Sequence, residues 1–361
     1  PLYKITERCL VIMNSSVISK ENAVNKSFIF TLSDEERDFL FNELNQIQYD
    51  PTGNTDYITE VRMAAMRALP KEIVKFLNQQ KTSLKPAPYI IFENLPTDKE
   101  VRFTPDSQDI PLEAKSGFIS ENLIIAIGSL IGEPYSMFHE GQNIVNNLIP
   151  SLKAKKEYTG LGSEFELDFH IENAALKFMG TNNFSPSGLL LTGVNNDPKK
   201  PLTRLSDARE ALRLLSEQDI EQLSQPLYRI KVPYRWRVST PVELQETSPS
   251  PIIKGTIDLP EVTAAFYPDM VAPINNLAAT SLEKFRNAIR KVSFGIDVNP
   301  GRLVYINNRF TFHSRDAFKP TLDKSGNPIR WLQRIFIAPD LWNHRTLEPV
   351  KDRVFKLALN H

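Results

Sequence analysis

Cysteine is nearly absent from this chain: Cys9 is the only one in 361 residues. No disulfide can close within it, which fits a reducing compartment, and a cytoplasmic protein is expected. Cys9 itself reads as a small, inert hydrophobe. No apolar run approaches the ~20 residues of a membrane span. The stretch Pro1-Leu2-Tyr3-Lys4 lacks the apolar centre of a signal peptide, so no membrane association is expected. Net charge is missing too. Lys plus Arg and Asp plus Glu each number 43, and no basic run stands out, which argues against a nucleic-acid partner. The sequence is silent on oligomeric state.

What is present describes a globular chain. Apolar residues make up 41% and charged residues 24%, enough to bury a large core. Residues 1–85 read mostly as helix. Ser33-Asp34-Glu35-Glu36 forms a capping box ahead of Phe39, Leu40, Leu44 and Ile47. A second helix is predicted over Tyr57 to Ala68, and a third starts near Pro70 with Ile73, Val74, Phe76 and Leu77 on its apolar side. Pro88 to Phe92 reads as a strand, and Asn122 to Ile131 as a buried helix stopped by Gly132 and Pro134.

From about residue 135 the pattern turns to β. Phe165 to His170 alternates with period two and is a predicted strand. Further strands are expected over 188–194, 228–232, 302–306, 310–313 and 331–337. Ser206 is expected to cap a helix carrying Ala208, Leu212 and Leu215, Ser216 and Asp219 the next, and 282–292 is amphipathic. Residues 240–260 are rich in Pro, Ser and Thr and read as an exposed excursion. Helices followed by short strands suggest a mainly β fold, a sandwich or barrel with helical support.

The chemistry centres on Phe169-His170-Ile171-Glu172-Asn173. Residues two apart on a strand face the same way, so His170 and Glu172 can present one imidazole and one carboxylate to a single ion. Alone, such a pair equally suits an exposed strand face. A third candidate, His313, lies far downstream in Phe310-Thr311-Phe312-His313-Ser314-Arg315-Asp316. Two histidines and one carboxylate on one face of an ion form the facial triad of non-haem Fe(II) oxygenases, which leaves positions for a 2-oxo acid and O2. The distal carboxylate of a 2-oxo acid needs a cation, and Arg330 and Arg334 share one face of the predicted strand after His313. The two halves of the triad meet only if both strands belong to one core, which favours a single domain with a long insertion.

The blocks Gly301 to Arg309, His313 to Phe318, Arg330-Trp331-Leu332-Gln333-Arg334 and Phe169 to Ala174 resemble the clavaminate synthase-like Fe(II)/2-oxoglutarate dioxygenases, a group that includes hydroxylases of free arginine, asparagine and lysine. The likeness runs more weakly from Pro88 to the C-terminus. It implies a double-stranded β-helix (jelly-roll) core over 86–361, with an insertion around 195–295, behind the mostly helical residues 1–85. It implies iron ligation by His170, Glu172 and His313, and a 2-oxoglutarate site at Arg330 with help from Thr203. Arg334 would take the α-carboxylate of an amino-acid substrate, close to Glu172. Asp269, in Phe266-Tyr267-Pro268-Asp269, would meet a basic side chain, and His139, in His139-Glu140-Gly141, the substrate's amino-acid end. Relatives tend to carry Gln in that last segment, and Gly where Ser314 stands.

The expected reaction is hydroxylation of an unactivated C–H of a free amino acid, Lys or Arg first, with 2-oxoglutarate and O2 consumed and succinate and CO2 released. Halogenases on this scaffold replace the carboxylate ligand by Gly or Ala, so Glu172 points to oxygen insertion. A desaturase or cyclase on the same scaffold, or a non-catalytic jelly-roll binding module, are the alternatives. Plainer roles stay open for single residues: a structural ion pair for Arg334, a turn for Asp269, a helix lead-in for Thr203. His344 and His361 have no companions. Residues 150–163, with Gly160 and Gly162, read as a mobile lid over the site.

Overall fold

The computed structural model describes residues 24–105, 110–178, 183–238 and 240–357. Cys9, His361 and the N-terminal stretch lie outside them. Two β-sheets face each other. The larger follows the order Ile29–Thr31, Tyr89–Glu93, Leu303–Ile306, Gly188–Asn195, Trp331–Ala338, Glu133–Met137, Val354–Lys356, Glu348–Lys351, with Asn146–Leu148 also paired to Trp331–Ala338. The smaller has four strands, Phe294–Ile296, Thr203–Asp207, Thr311–Arg315 and Leu167–His170. This is the expected mainly β, jelly-roll architecture with helical support.

Period-two alternation decides what each face of the large sheet touches. Ile91, Leu189, Leu191, Val304, Ile306 and Phe336 point toward the smaller sheet and its core. Their neighbours Ile90, Phe92, Leu190, Leu303, Tyr305, Ile335 and Ile337 point outward and are roofed by helices. The roof is Ile119–Ile131, whose every residue is buried, with Asp34–Asn45, Thr55–Ala68 and Lys71–Gln79 around it. A helix buried on all sides needs apolar residues all round, which Asn122 to Ile131 supplies. Gly128 lets it lie close: a β-carbon there would press within 2.9 Å of Ile335 and Ile337. The predicted capping box is present, with Ser33 Oγ accepting from Glu36 N–H and the Glu36 carboxylate accepting from Ser33 N–H.

Several boundaries differ from the expectation. The strand before the His-x-Glu pair starts at Leu167, not Phe165. Ser206 is not a cap; it sits in the strand Thr203–Asp207, its hydroxyl donating to Ile289 O, while Asp207 caps Ala208–Leu212 and leaves Leu215 outside. The strand was hidden because Thr-Arg-Leu-Ser-Asp carries cap-forming residues, and its pairing with Thr311–Arg315 overrides them. Residues 240–260 are not simply an exposed excursion: Ile252 and Ile253 are buried in the core, and Ile253–Gly255 pairs with Pro260–Val262. Residues 203 and 294, inside the supposed insertion, are strand positions of the smaller sheet. The excursion proper runs between those two strands. Among the described residues no helix is long and apolar enough to cross a membrane.

Candidate active site

The strands Leu167–His170 and Thr311–Arg315 run antiparallel with His170 directly opposite His313. Cross-strand partners bring side chains within contact, and the two imidazole rings lie 4.1 Å apart, centre to centre. Glu172 follows the strand end. Asn308 holds its backbone from both sides, its Oδ1 accepting from Glu172 N–H at 2.8 Å and its Nδ2 donating to Glu172 O at 3.1 Å. Asn173 then turns the chain with a left-handed φ of 50°, a conformation Asn tolerates. The result gathers His170, Glu172 and His313, all buried, with one donor atom of each within 4.8 Å of the others. His170 Nδ1 lies 2.9 Å from Asp168 O. A proton on Nδ1 satisfies that carbonyl and leaves the Nε2 lone pair for an ion.

The electrostatics favour neutral imidazole and ionised carboxylate, the forms that bind metal. Burial, then the neighbouring His313, pushes His170 down to about 4. Burial acts to raise Glu172, but Arg334, His313 and His170 outweigh it and hold the carboxyl below its usual range.

These groups line a pocket of about 810 Å³, counting its open mouth. Leu148, Leu189, Leu191 and Leu332 form an apolar wall. Arg330 and Arg334 both reach it, as their shared strand face anticipates. They differ in one respect. Arg334 is paired through its end nitrogens, donating to Glu172 at 3.1 Å and to Glu140 at 2.7 Å, while its buried Nε has no partner among the described residues. Arg330 is 5% exposed, yet its guanidinium makes no hydrogen bond or ion pair among the described residues and only faces the Phe318 ring at 5.5 Å. Burial lowers it to about 10. An unpaired buried cation is costly, and a carboxylate delivered from outside would relieve that cost. Thr203 stands on the same wall, buried and paired in register with Arg315. It belongs to a strand, not to a helix lead-in. Tyr158, Thr159 and Gly160 of the expected lid also line the pocket.

Two candidates lie outside the pocket wall. Asp269 is not in the pocket wall among the described residues: its side chain is 55% exposed and bonds Lys231 at 2.5 Å and Arg237 at 2.8 Å. Those two cations, and a left-handed φ of 60° after Pro268, turn it outward. Tyr267, two positions earlier, lines the pocket and packs edge-on against His170. His139 also misses the wall; its ring leans on Trp236 at 4.9 Å. The next residue, Glu140, is the one inside, where it accepts from Arg334, Arg235 and Trp236 Nε1. Sequence reasoning passed over both Glu140 and Arg235. The Glu140 signal was present in the segment chosen, one residue away; Arg235, in Tyr234-Arg235-Trp236-Arg237, carries none.

The chain was compared with known proteins. L-asparagine oxygenase of Streptomyces coelicolor is 27% identical over 232 residues, which are 63% of this chain and 64% of that protein. The match thus spans just under two thirds of that relative. L-lysine 3-hydroxylase of Catenulispora acidiphila is 26% identical over 292 residues, 79% of this chain and 76% of that protein. A crystal structure of asparagine oxygenase with Fe(II), 2S,3S-3-hydroxyasparagine and succinate has a TM-score of 0.78 at 22% identity, covering 92% of this chain and 100% of that one. The non-heme iron oxygenase OrfP in complex with Fe and alpha-ketoglutaric acid gives 0.76 at 19% identity, over 91% of this chain and 100% of that one. The family model described as taurine catabolism dioxygenase TauD, TfdA family, matches residues 118–336, from the buried helix into the strand that carries Arg334. With more than half its length inside that model, the chain belongs to the TauD/TfdA dioxygenase family.

Proposed function

We propose that the protein is an Fe(II)/2-oxoglutarate-dependent hydroxylase of a free L-amino acid. One observation carries the reading: the buried His170–Glu172–His313 group shares a pocket with an unpaired, buried Arg330. Two imidazoles and a carboxylate suit Fe(II), and a lone guanidinium suits one end of a dicarboxylate. The relatives bear names of amino-acid oxygenases. When bound, iron with 2-oxoglutarate and O2 supplies the oxidising chemistry.

The chain's own residues place and shield the reactants. His170, Glu172 and His313 hold the metal, and Asn308 fixes where the Glu172 carboxylate can stand. Arg330 and Thr203 receive the distal carboxylate of 2-oxoglutarate. Arg334 and Glu140, a cation and an anion 2.7 Å apart, match the α-carboxylate and α-ammonium of a zwitterion. The leucine wall and the 150–163 segment exclude water, which strengthens these contacts and protects the reaction from side paths. With Asp269 on the outer surface, the case for a basic substrate loses its residue.

The test is succinate formation from 2-oxoglutarate by the Fe(II)-reconstituted protein, with a product 16 mass units heavier than the amino acid supplied. His313→Ala is expected to drop succinate to background while circular dichroism stays native. Full activity in that variant would sink the metal assignment.

A further inference from the structure

The pocket is short of anions. Its described walls carry the arginines Arg235, Arg315, Arg330 and Arg334 but only the carboxylates Glu140 and Glu172. Neither carboxylate is free. Glu172 bonds Arg334 and faces His313. Glu140 has both oxygens engaged: Oε1 accepts from Trp236 Nε1 at 2.7 Å, and Oε2 accepts from Arg334 at 2.7 Å and from Arg235 at 2.6 Å. Glu140 is the carboxylate that meets the substrate's α-ammonium, so a lysine or arginine side chain entering here would bring a second cation to a site with no second carboxylate to spare. Burying a charge without a partner is strongly unfavourable.

Arg235 has the opposite character. It sits on the short helix Tyr234–Arg237, which the fully buried Trp236 pins to the core. Its side chain is 24% exposed, so it remains reachable from the pocket mouth. Glu140 engages only its Nη2, and its other two nitrogens have no partner among the described residues. Nothing in the wall accepts from them. The donors are in a fork that fits a carboxylate or a carboxamide oxygen.

We propose that the substrate is an α-amino acid whose side chain ends in a carboxylate or carboxamide, and that Arg235 selects it. This rests on the reading of the pocket as an amino-acid site. The spacing sets the size as well. Arg334 and Arg235 donate to one and the same oxygen of Glu140, so their nitrogens lie within two hydrogen-bond lengths of each other. An α-carboxylate at Arg334 and an acceptor at Arg235 are then bridged by a skeleton with one or two methylenes. Tyr158 and Tyr267, stacked at 6.4 Å with their planes 9° apart, close the space beside it.

The experiment uses the full chain with Fe(II) and 2-oxoglutarate. Calorimetry without oxygen measures binding of L-Asp, L-Glu, L-Asn, L-Gln, L-Lys and L-Arg, and succinate release in air measures turnover. At least one of the first four should bind and stimulate succinate release, and which pair does so tells carboxylate from carboxamide. Arg235→Ala should weaken its binding about 10- to 100-fold, as loss of a charged hydrogen-bond donor does. Arg235→Lys should recover part of that loss, and Arg235→Glu should shift preference toward Lys and Arg. Equal or better use of Lys or Arg by the unaltered protein overturns the inference, as does unchanged affinity in Arg235→Ala. If 2-oxoglutarate binds and is slowly turned over but none of the four amino acids binds, this inference alone fails. If 2-oxoglutarate does not bind at all, the hydroxylase reading fails with it.

Discussion

His344 is a histidine in an aromatic box. It is 3% exposed, its ring lies 4.4 Å from Tyr135 and 5.0 Å from Phe355, and neither ring nitrogen has a hydrogen-bond partner among the described residues. Burial pushes its pKa down to about 4. The unfolded chain takes up a proton near pH 6.5, whereas the folded one resists until about 4. Its share of stability is therefore complete above pH 6.5 and drains away as pH falls toward 4. At pH 5 the loss is about 2 kcal/mol. Denaturant titrations at pH 7.5 and pH 5 should show His344→Phe losing less stability than the parent over that interval by this amount. An identical pH dependence would count against the ring being neutral and buried. The residue scale also shows where sequence reading stopped. His170, Glu172 and His313 were legible because strand periodicity and ligand chemistry act on the residue itself. Asp269 and Glu140 were not, because the direction of a loop side chain depends on its partners. Lys231 and Arg237 claim the one, and Arg334, Arg235 and Trp236 claim the other.

Among elements, the 150–163 segment has no helix or strand of its own and a direct hand in the pocket. Its fold depends on backbone closures: Ser151 N–H to Leu161 O, Gly162 N–H to Thr159 O and Ser163 N–H to Lys155 O. Arg315, two residues after His313, ties its far end by donating to Ser163 O and Phe165 O, each at 3.1 Å. A β-carbon at Gly162 would land on the carbonyl oxygen of Glu157. Backbone cannot yield there as a flexible side chain could. Gly162→Ala is thus expected to displace Tyr158, Thr159 and Gly160 from the wall. The measurement is steady-state succinate release: KM for the amino acid should rise several-fold with an unchanged melting temperature, since the segment lies outside the main core. A normal KM would show that the wall does not depend on this turn. The helices and long strands of the frame were readable from periodicity and caps. The strand Thr203–Asp207 was not, because only its neighbour Thr311–Arg315 makes it a strand.

For the whole molecule, the unpaired Arg330 links binding to stability. Arg315, likewise pushed down to about 10 by burial and by Arg330, has no carboxylate partner among the described residues either. A ligand that binds only the folded state adds about 2.7 kcal/mol at a hundredfold excess over its Kd. Fe(II) with 2-oxoglutarate should therefore raise the melting temperature by a few degrees. Arg330→Ala should remove most of the 2-oxoglutarate increment while leaving that of the metal. An undiminished increment in this variant would place the co-substrate elsewhere. The sheet order could not be read from the chain, because strands far apart in sequence pair only through tertiary packing: Tyr89–Glu93 joins Leu303–Ile306, and Leu303–Ile306 joins Gly188–Asn195.

The two ends of the pocket have different anchorage. Arg330, Thr203 and the His170–Glu172–His313 cluster stand on or beside strands locked into two sheets, whereas Arg235 and Tyr267 come from the excursion between the strands Thr203–Asp207 and Phe294–Ile296. Its core anchors, such as Trp236, Ile252 and Phe285, are bound to the frame, but its exposed positions can change without loosening it. On the proposed reading, residues that choose the substrate can therefore change at such positions without disturbing the half of the pocket that would hold iron and 2-oxoglutarate.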